Sequence, residues 1–134
     1  MTRKELTILQ LSQLNILENN CKLILEHNGV KFVGVINYLG NLIAGGFKKG
    51  IILMGDENMR KMMYMQLKLD LTMRKDYDEV FGPVDYVLSK RGKITKISIP
   101  MKKHMIVLIT DKGINYELVI KKINNVFKNS LGDS

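Results

Sequence analysis

Apolar residues recur along this chain with two periods, and the changes of period mark its elements. Leu14, Leu17, Cys21 and Ile24 fall at three- and four-residue steps on one helical face, with Leu11 and Leu25 beside them. Thr2-Arg3-Lys4-Glu5 has the spacing of a capping box, and Asn28-Gly29 supplies a stop, so a first helix runs to about His27. The period then shortens. Val30, Phe32, Val33, Val35 and Ile36 form a β-branched and aromatic run apolar on both faces, as in a strand covered on both sides. Tyr38-Leu39-Gly40-Asn41 turns the chain, and Leu42, Ile43, Ala44 and Phe47 resume it, which predicts a hairpin.

The helical period returns after Asp56, a good N-cap, and lasts to about Val80. This second helix carries two apolar stripes. Met62, Met65, Leu69, Met73 and Tyr77 lie along one; Met59, Met63, Leu67 and Leu71 drift across another. One sheet covers only one side, so the second stripe needs another surface. The first stripe is expected to meet the sheet, leaving Met59, Met63, Leu67 and Leu71 as a seam for a second copy. Gly82-Pro83 ends the helix, and Val84–Ser89 is expected to be a strand with proline at its start, as edge strands tolerate. Lys90-Arg91-Gly92-Lys93 turns into a fourth strand over Ile94–Ile99, where Thr95, Ile97 and Ile99 alternate with Lys96 and Ser98. Pro100–Lys103 turns again. Met105–Thr110 is the most apolar run and is expected at the sheet centre. Asn115 caps a last helix in which Val119, Ile123, Val126 and Phe127 share a face, and fraying is expected from Leu131, over 132–134 above all.

The succession is α-β-β-α-β-β-β-α, an α+β class with one five-stranded antiparallel sheet in a single domain, 1–134. Placing the two most apolar strands together at the centre gives the order 2-1-5-4-3. The second helix then covers one face, and the first and third helices the other. Gly34 lies inside a buried strand, where a Cβ is expected to crowd a covering helix, and Gly40 in a turn that calls for positive φ.

Gly29-Val30 after the first helix, Val33-Gly34-Val35-Ile36-Asn37, and Gly40-x-Leu42-Ile43-Ala44 resemble the roadblock/LC7 family, whose members have a profilin-like fold. The resemblance covers nearly the whole chain. GVINYLGNLIAGG is also similar to small uncharacterised archaeal proteins that look like divergent relatives. The resemblance implies a non-catalytic scaffold that forms homodimers through the second helix and third strand, here with Val84 and Tyr86. It also implies a partner such as a Ras-like small GTPase or a larger protein complex. Tyr38 and Asn41 stand where the family has acidic residues, and the second helix is unusually rich in methionine.

Charge adds a competing reading. The net charge is +8, and residues 81–113 hold seven Lys and Arg against Asp85 and Asp111. Lys90, Arg91, Lys93, Lys96, Lys102 and Lys103 make a candidate patch for nucleic acid or another anionic surface. Solvation of hairpin turns is the simpler use of such lysines. The patch is expected to divide between the two ends of the fourth strand and to hold nucleic acid weakly.

Catalytic and metal chemistry find little footing. Gly45-Gly46-Phe47-Lys48-Lys49-Gly50 has phosphate-loop glycines, yet Ile51-Ile52 stands where Lys-Ser/Thr must follow. Asp76, Asp78 and Glu79 fall out of step with a calcium loop. His27 and His104 have no companions at ligand spacing, and Cys21 lies on a core stripe as a packed thiol. No cofactor, metal or catalytic residue is expected. A single cysteine, no apolar leader and no membrane-length span point to a cytoplasmic protein. A small-molecule sensor with its ligand between sheet and helix is the third reading.

Overall fold

The computed structural model describes residues 3–51 and 55–131, with side chains from Gln10 onward, so the capping box at Thr2–Glu5 lies outside the described residues. Helix α1 (Arg3–Leu25) leads into strands β1 (Val30–Ile36) and β2 (Leu42–Phe47). Helix α2 (Glu57–Arg74) continues through a 3-10 turn, Lys75–Tyr77, into the short α3 (Asp78–Phe81). Strands β3 (Val87–Lys90), β4 (Thr95–Met101) and β5 (His104–Thr110) follow, then α4 (Tyr116–Phe127). The sheet is antiparallel throughout in the order β2-β1-β5-β4-β3, as the apolar patterning predicts.

Local chemistry explains the joints. The Asn37 side chain accepts from the backbone N–H of Leu39 and of Asn41, both at 3.0 Å, and so builds the β1–β2 turn. Gly40 sits there at φ +85. Asp56 caps α2 by accepting from Met59 N at 2.7 Å, and Asn115 caps α4 by accepting from Leu118 N at 3.3 Å.

Period-two alternation divides the sheet residues between two cores. Val33, Val35, Ile97, Ile99, Ile106 and Leu108 face α1 and α4, where Leu17, Cys21, Ile24, Val119, Ile123 and Phe127 cover them. Phe32, Ile36, Met105, Val107 and Ile109 face α2. There Tyr64 stacks on Phe32 with ring centroids 6.0 Å apart.

Several expectations need correction. The two stripes of α2 sit the other way round. Leu71 is 5% exposed, and Met63 and Leu67 pack against the same sheet face, so these three cannot form a seam. The decisive side chain is Tyr64, whose ring finds an aromatic surface at Phe32 and turns its own face of the helix inward. β3 begins at Val87, so Pro83 precedes the strand by several residues. β4 runs through Pro100, which pairs with Met105 of β5. β3 stops pairing at Ser98, so the prolyl nitrogen faces no neighbouring ladder on that side. Leu11 is 55% exposed and lies off the α1 core. A Cβ on Gly34 would meet the Leu42 and Phe32 side chains at 2.7 and 2.8 Å, and no helix atom is among its nearest neighbours. Leu131, expected to fray, is fully buried, while 132–134 lie outside the described residues.

Candidate interaction surface

With Met63, Tyr64, Leu67 and Leu71 turned to the sheet, the opposite side of α2 carries Met62, Met65, Leu69 and Met73. These recur at three- and four-residue steps, and Tyr77, Val80 and Phe81 extend the stripe through the 3-10 turn and α3. Met62 is 64% exposed, Leu69 53% and Met73 69%. Met59, expected in the seam, is also exposed and adds to the N-terminal end of this surface. Over α2 alone the stripe from Met62 to Met73 is roughly 16 Å long at the helical rise per residue. Its flanks are solvated by two ion pairs, each spanning one turn, Lys61–Glu57 at 3.4 Å and Arg74–Asp70 at 3.0 Å. An apolar strip of this length on a charged helix is what a protein contact needs and what an isolated surface helix lacks.

The second component is β3, the last strand in the sheet order, whose outer side has no strand partner among the described residues. Val84 and Tyr86 precede it. Val84 is half-buried beside the α2-facing core, whereas Tyr86 packs on the other side of the sheet, 6.3 Å from the Tyr116 ring. They do not share one surface.

The basic residues also separate. Lys90, Arg91 and Lys93 surround the β3–β4 turn, and Lys102 and Lys103 the β4–β5 turn at the other end of β4. Lys96 belongs to neither group: it is half-buried on the α2-facing side of β4, where burial first and the Arg91 charge second lower its pKa. Lys102 holds a left-handed φ of 53°.

Cys21 is buried under β2, and burial, with the Glu18 carboxylate adding to it, pushes its thiol up to about 12. That is the opposite of an activated nucleophile. Glu18 is occupied as a backbone acceptor, taking the Gly45 N–H at 3.1 Å. Gly45, read from the sequence as part of the glycine-rich second strand and of a failed phosphate loop, has φ +87, and a Cβ there would run into the Val33 carbonyl oxygen. His104 lies at the start of β5, its pKa lowered by burial and then by Lys68. Among the described residues, no three His, Cys, Asp or Glu side chains come together at a distance fit for a metal ion. Nor does any described helix have the length and apolarity to cross a membrane.

The family model for DUF6659, a family of unknown function, matches residues 11–132. The chain belongs to this family. No curated protein matches it in sequence. Solved roadblock/LC7 domains share the fold of this chain. The gliding protein MglB from Thermus thermophilus superposes with a TM-score of 0.75 at 8% identity, over 91% of this chain and 93% of that one. A roadblock/LC7 domain from Streptomyces avermitilis gives 0.67 at 8% identity, over 84% and 92%. An MglB solved with a tetrameric arrangement gives 0.69 at 8% identity, over 89% and 93%. At such identities the likeness is one of fold.

Proposed function

We propose that this DUF6659 protein is a non-catalytic interaction module that works as a homodimer, joined along the outer stripe of α2. The observation that carries this reading is the run of exposed Met62, Met65, Leu69 and Met73 on a helix whose other face is already occupied by the sheet. A two-fold axis across α2 lets the same stripe meet itself, the usual solution for a self-complementary apolar patch. Methionine suits such a seam because its unbranched side chain adjusts to what it meets. The tetrameric arrangement of one MglB with this fold supports self-association as the mode. The free edge of β3, with Val84 beside it, extends the surface.

The partner class implied by the resemblance to roadblock domains is a Ras-like small GTPase. The nucleic-acid reading has weaker support, because the basic residues divide between two ends of β4, roughly 20 Å apart for a strand of this length. That is about two Debye lengths at physiological salt, so the two groups do not sum into one strong site. Sedimentation of the intact chain tests the dimer, and binding of a Ras-like GTPase loaded with GDP or with GTP tests the partner class. A chain that stays monomeric at high micromolar concentration overturns the first, and equal failure with both nucleotide states the second.

A further inference from the structure

Along one flank of the first turns of α2, between the helix and the sheet, lies a cavity of about 400 Å³, with Met62 of the outer stripe at its rim. Small-ligand sites span roughly 300–1,000 Å³, so this one is large enough to hold a compact molecule. Its apolar walls come from Phe47, Met59, Met63, Ile94 and Ile109. Three cations complete it: Arg60, Arg91 and Lys96. Among the described lining residues there is no carboxylate.

Each cation is held by a different element. Arg60 of α2 donates to the Gly55 carbonyl oxygen at 2.6 Å, with its guanidinium carbon 5.8 Å from the Phe47 ring centroid. Arg91 belongs to the β3–β4 turn, which is closed by its own N–H donating to the Ile94 carbonyl at 2.9 Å. Lys96 comes up from β4, opposite Ile109 of β5. The described ion pairs are Lys31–Asp111, Lys61–Glu57 and Arg74–Asp70, so none of the three cavity cations is neutralised by one. Burial first, and the nearby Arg91 charge second, lower the pKa of Lys96.

We propose that this cavity binds a small amphipathic anion: an apolar body carrying a single carboxylate or phosphate head. Each half of the site calls for its own half of the ligand. Inorganic phosphate alone leaves the walls of Phe47, Ile94 and Ile109 unfilled, whereas a neutral apolar molecule dehydrates the cations without offering them a charge, which is costly. Met62 lines both the cavity and the proposed seam, and Met59 lies at the N-terminal end of that surface; Leu69 and Met73 do not line the cavity, so substitutions there test the seam without touching the site.

Calorimetric titration of the full chain with decanoate, decyl phosphate, decanol and inorganic phosphate tests the assignment. One molecule of decanoate or decyl phosphate is expected to bind per chain, and the stronger of the two identifies the head group. Decanol and inorganic phosphate are each expected to bind at least about tenfold more weakly, decanol for want of the charged contact and phosphate for want of the apolar burial. Lys96→Gln and Arg91→Gln are each expected to lower affinity for the preferred anion about tenfold as well. Lys96→Gln should not lower the melting temperature, because it removes a charge that burial disfavours. Arg91→Gln lies on an exposed turn and serves as the second variant. Amide shifts at Phe47, Ile94 and Ile109 on titration place the ligand. The proposal is overturned if decanol binds as well as decanoate, if both substitutions leave affinity unchanged, or if neither anion binds at millimolar concentration.

Discussion

Replacing Leu69 and Met73 by lysine tests the α2 seam where it is most exposed. Complete burial of a leucine or methionine side chain stabilises by about 1.5–3 kcal/mol. Leu69 retains 53% of its exposure and Met73 69%, so covering what remains contributes on the order of 1 and 1.5 kcal/mol respectively. Two copies bring two of each, for roughly 5 kcal/mol across a symmetric seam. The double variant L69K/M73K forfeits that contribution and sets like charges against one another. Its dimer dissociation constant is therefore expected to rise by at least about three orders of magnitude. Neither side chain belongs to the protomer's core, so the monomer should keep its far-UV spectrum and a cooperative melt. Sedimentation velocity over a dilution series reads the association directly. Leu71→Lys is the internal control. Leu71 is buried against the sheet, so a lysine there places an unpaired charge in the core and should unfold or precipitate the chain. If L69K/M73K remains dimeric at the concentrations of wild type, or if L71K yields a folded monomer, the assignment of the two α2 faces is wrong.

Gly45→Ala is expected to cost more than about 2 kcal/mol, because it combines a left-handed φ of +87 with a collision against the Val33 carbonyl. Gly46→Ala, with nothing within 4 Å of the added methyl and no left-handed φ, should stay within about 0.5 kcal/mol of wild type; equal thermal melts for the two would refute the hairpin geometry. Cys21, its thiol raised to about 12, should react with a disulfide reagent at pH 8 only in denaturant, and rapid labelling of the native chain would show that α1 does not seal it. Burial, with Lys68 second, lowers the His104 pKa from 6.5, so below that pH the unfolded chain takes up the proton more readily than the folded one. The stability this contributes is complete above about pH 6.5 and is lost as pH falls through the folded-state value, so His104→Gln should flatten urea stability between pH 7.5 and pH 5, and an unchanged slope would exclude His104 as its source.

The sheet was legible in the sequence because its information is local and redundant. Turn residues at Asn37–Asn41, Arg91–Lys93 and Lys102–Lys103 punctuate runs whose alternation assigns each side chain to one core or the other. The continuous apolarity of β1 and β5 placed both at the centre. Helix α2 offered no such redundancy. Methionine and leucine recur on both of its faces with similar hydrophobicity, so periodicity established that two surfaces were apolar without saying which one met the sheet. Tyr64 was the available signal. It is the one aromatic within the α2 helix, and Phe32 supplies the ring surface that it seeks on the sheet. Pro83 misled for a related reason: a proline opens an edge strand well, but it equally suits the irregular segment before one.

The charged residues show why counting along the chain located the interaction chemistry only in part. In sequence, Lys96 stands amid five other lysines and arginines between residues 90 and 103 and looks like one more solvated position on a basic strand. In the fold, strand alternation turns it toward α2, and the sheet carries it away from the turn lysines on either side. Arg60, thirty-six residues earlier and in a segment of mixed charge, joins it around the cavity, and Arg91 arrives from the turn. Three cations from three elements thus converge, although no segment of sequence contains them as a group. The residues that look most like a patch, Lys90, Lys93, Lys102 and Lys103, stay near the ends of β4, in water. Specific recognition of an anion depends on exclusion of water around the cation as much as on the number of cations. On that criterion the half-buried Arg60 and Lys96 outrank the exposed lysines on the hairpin turns, Arg91 joins them from its exposed turn, and the apolar walls beside them call for an anion with an apolar body.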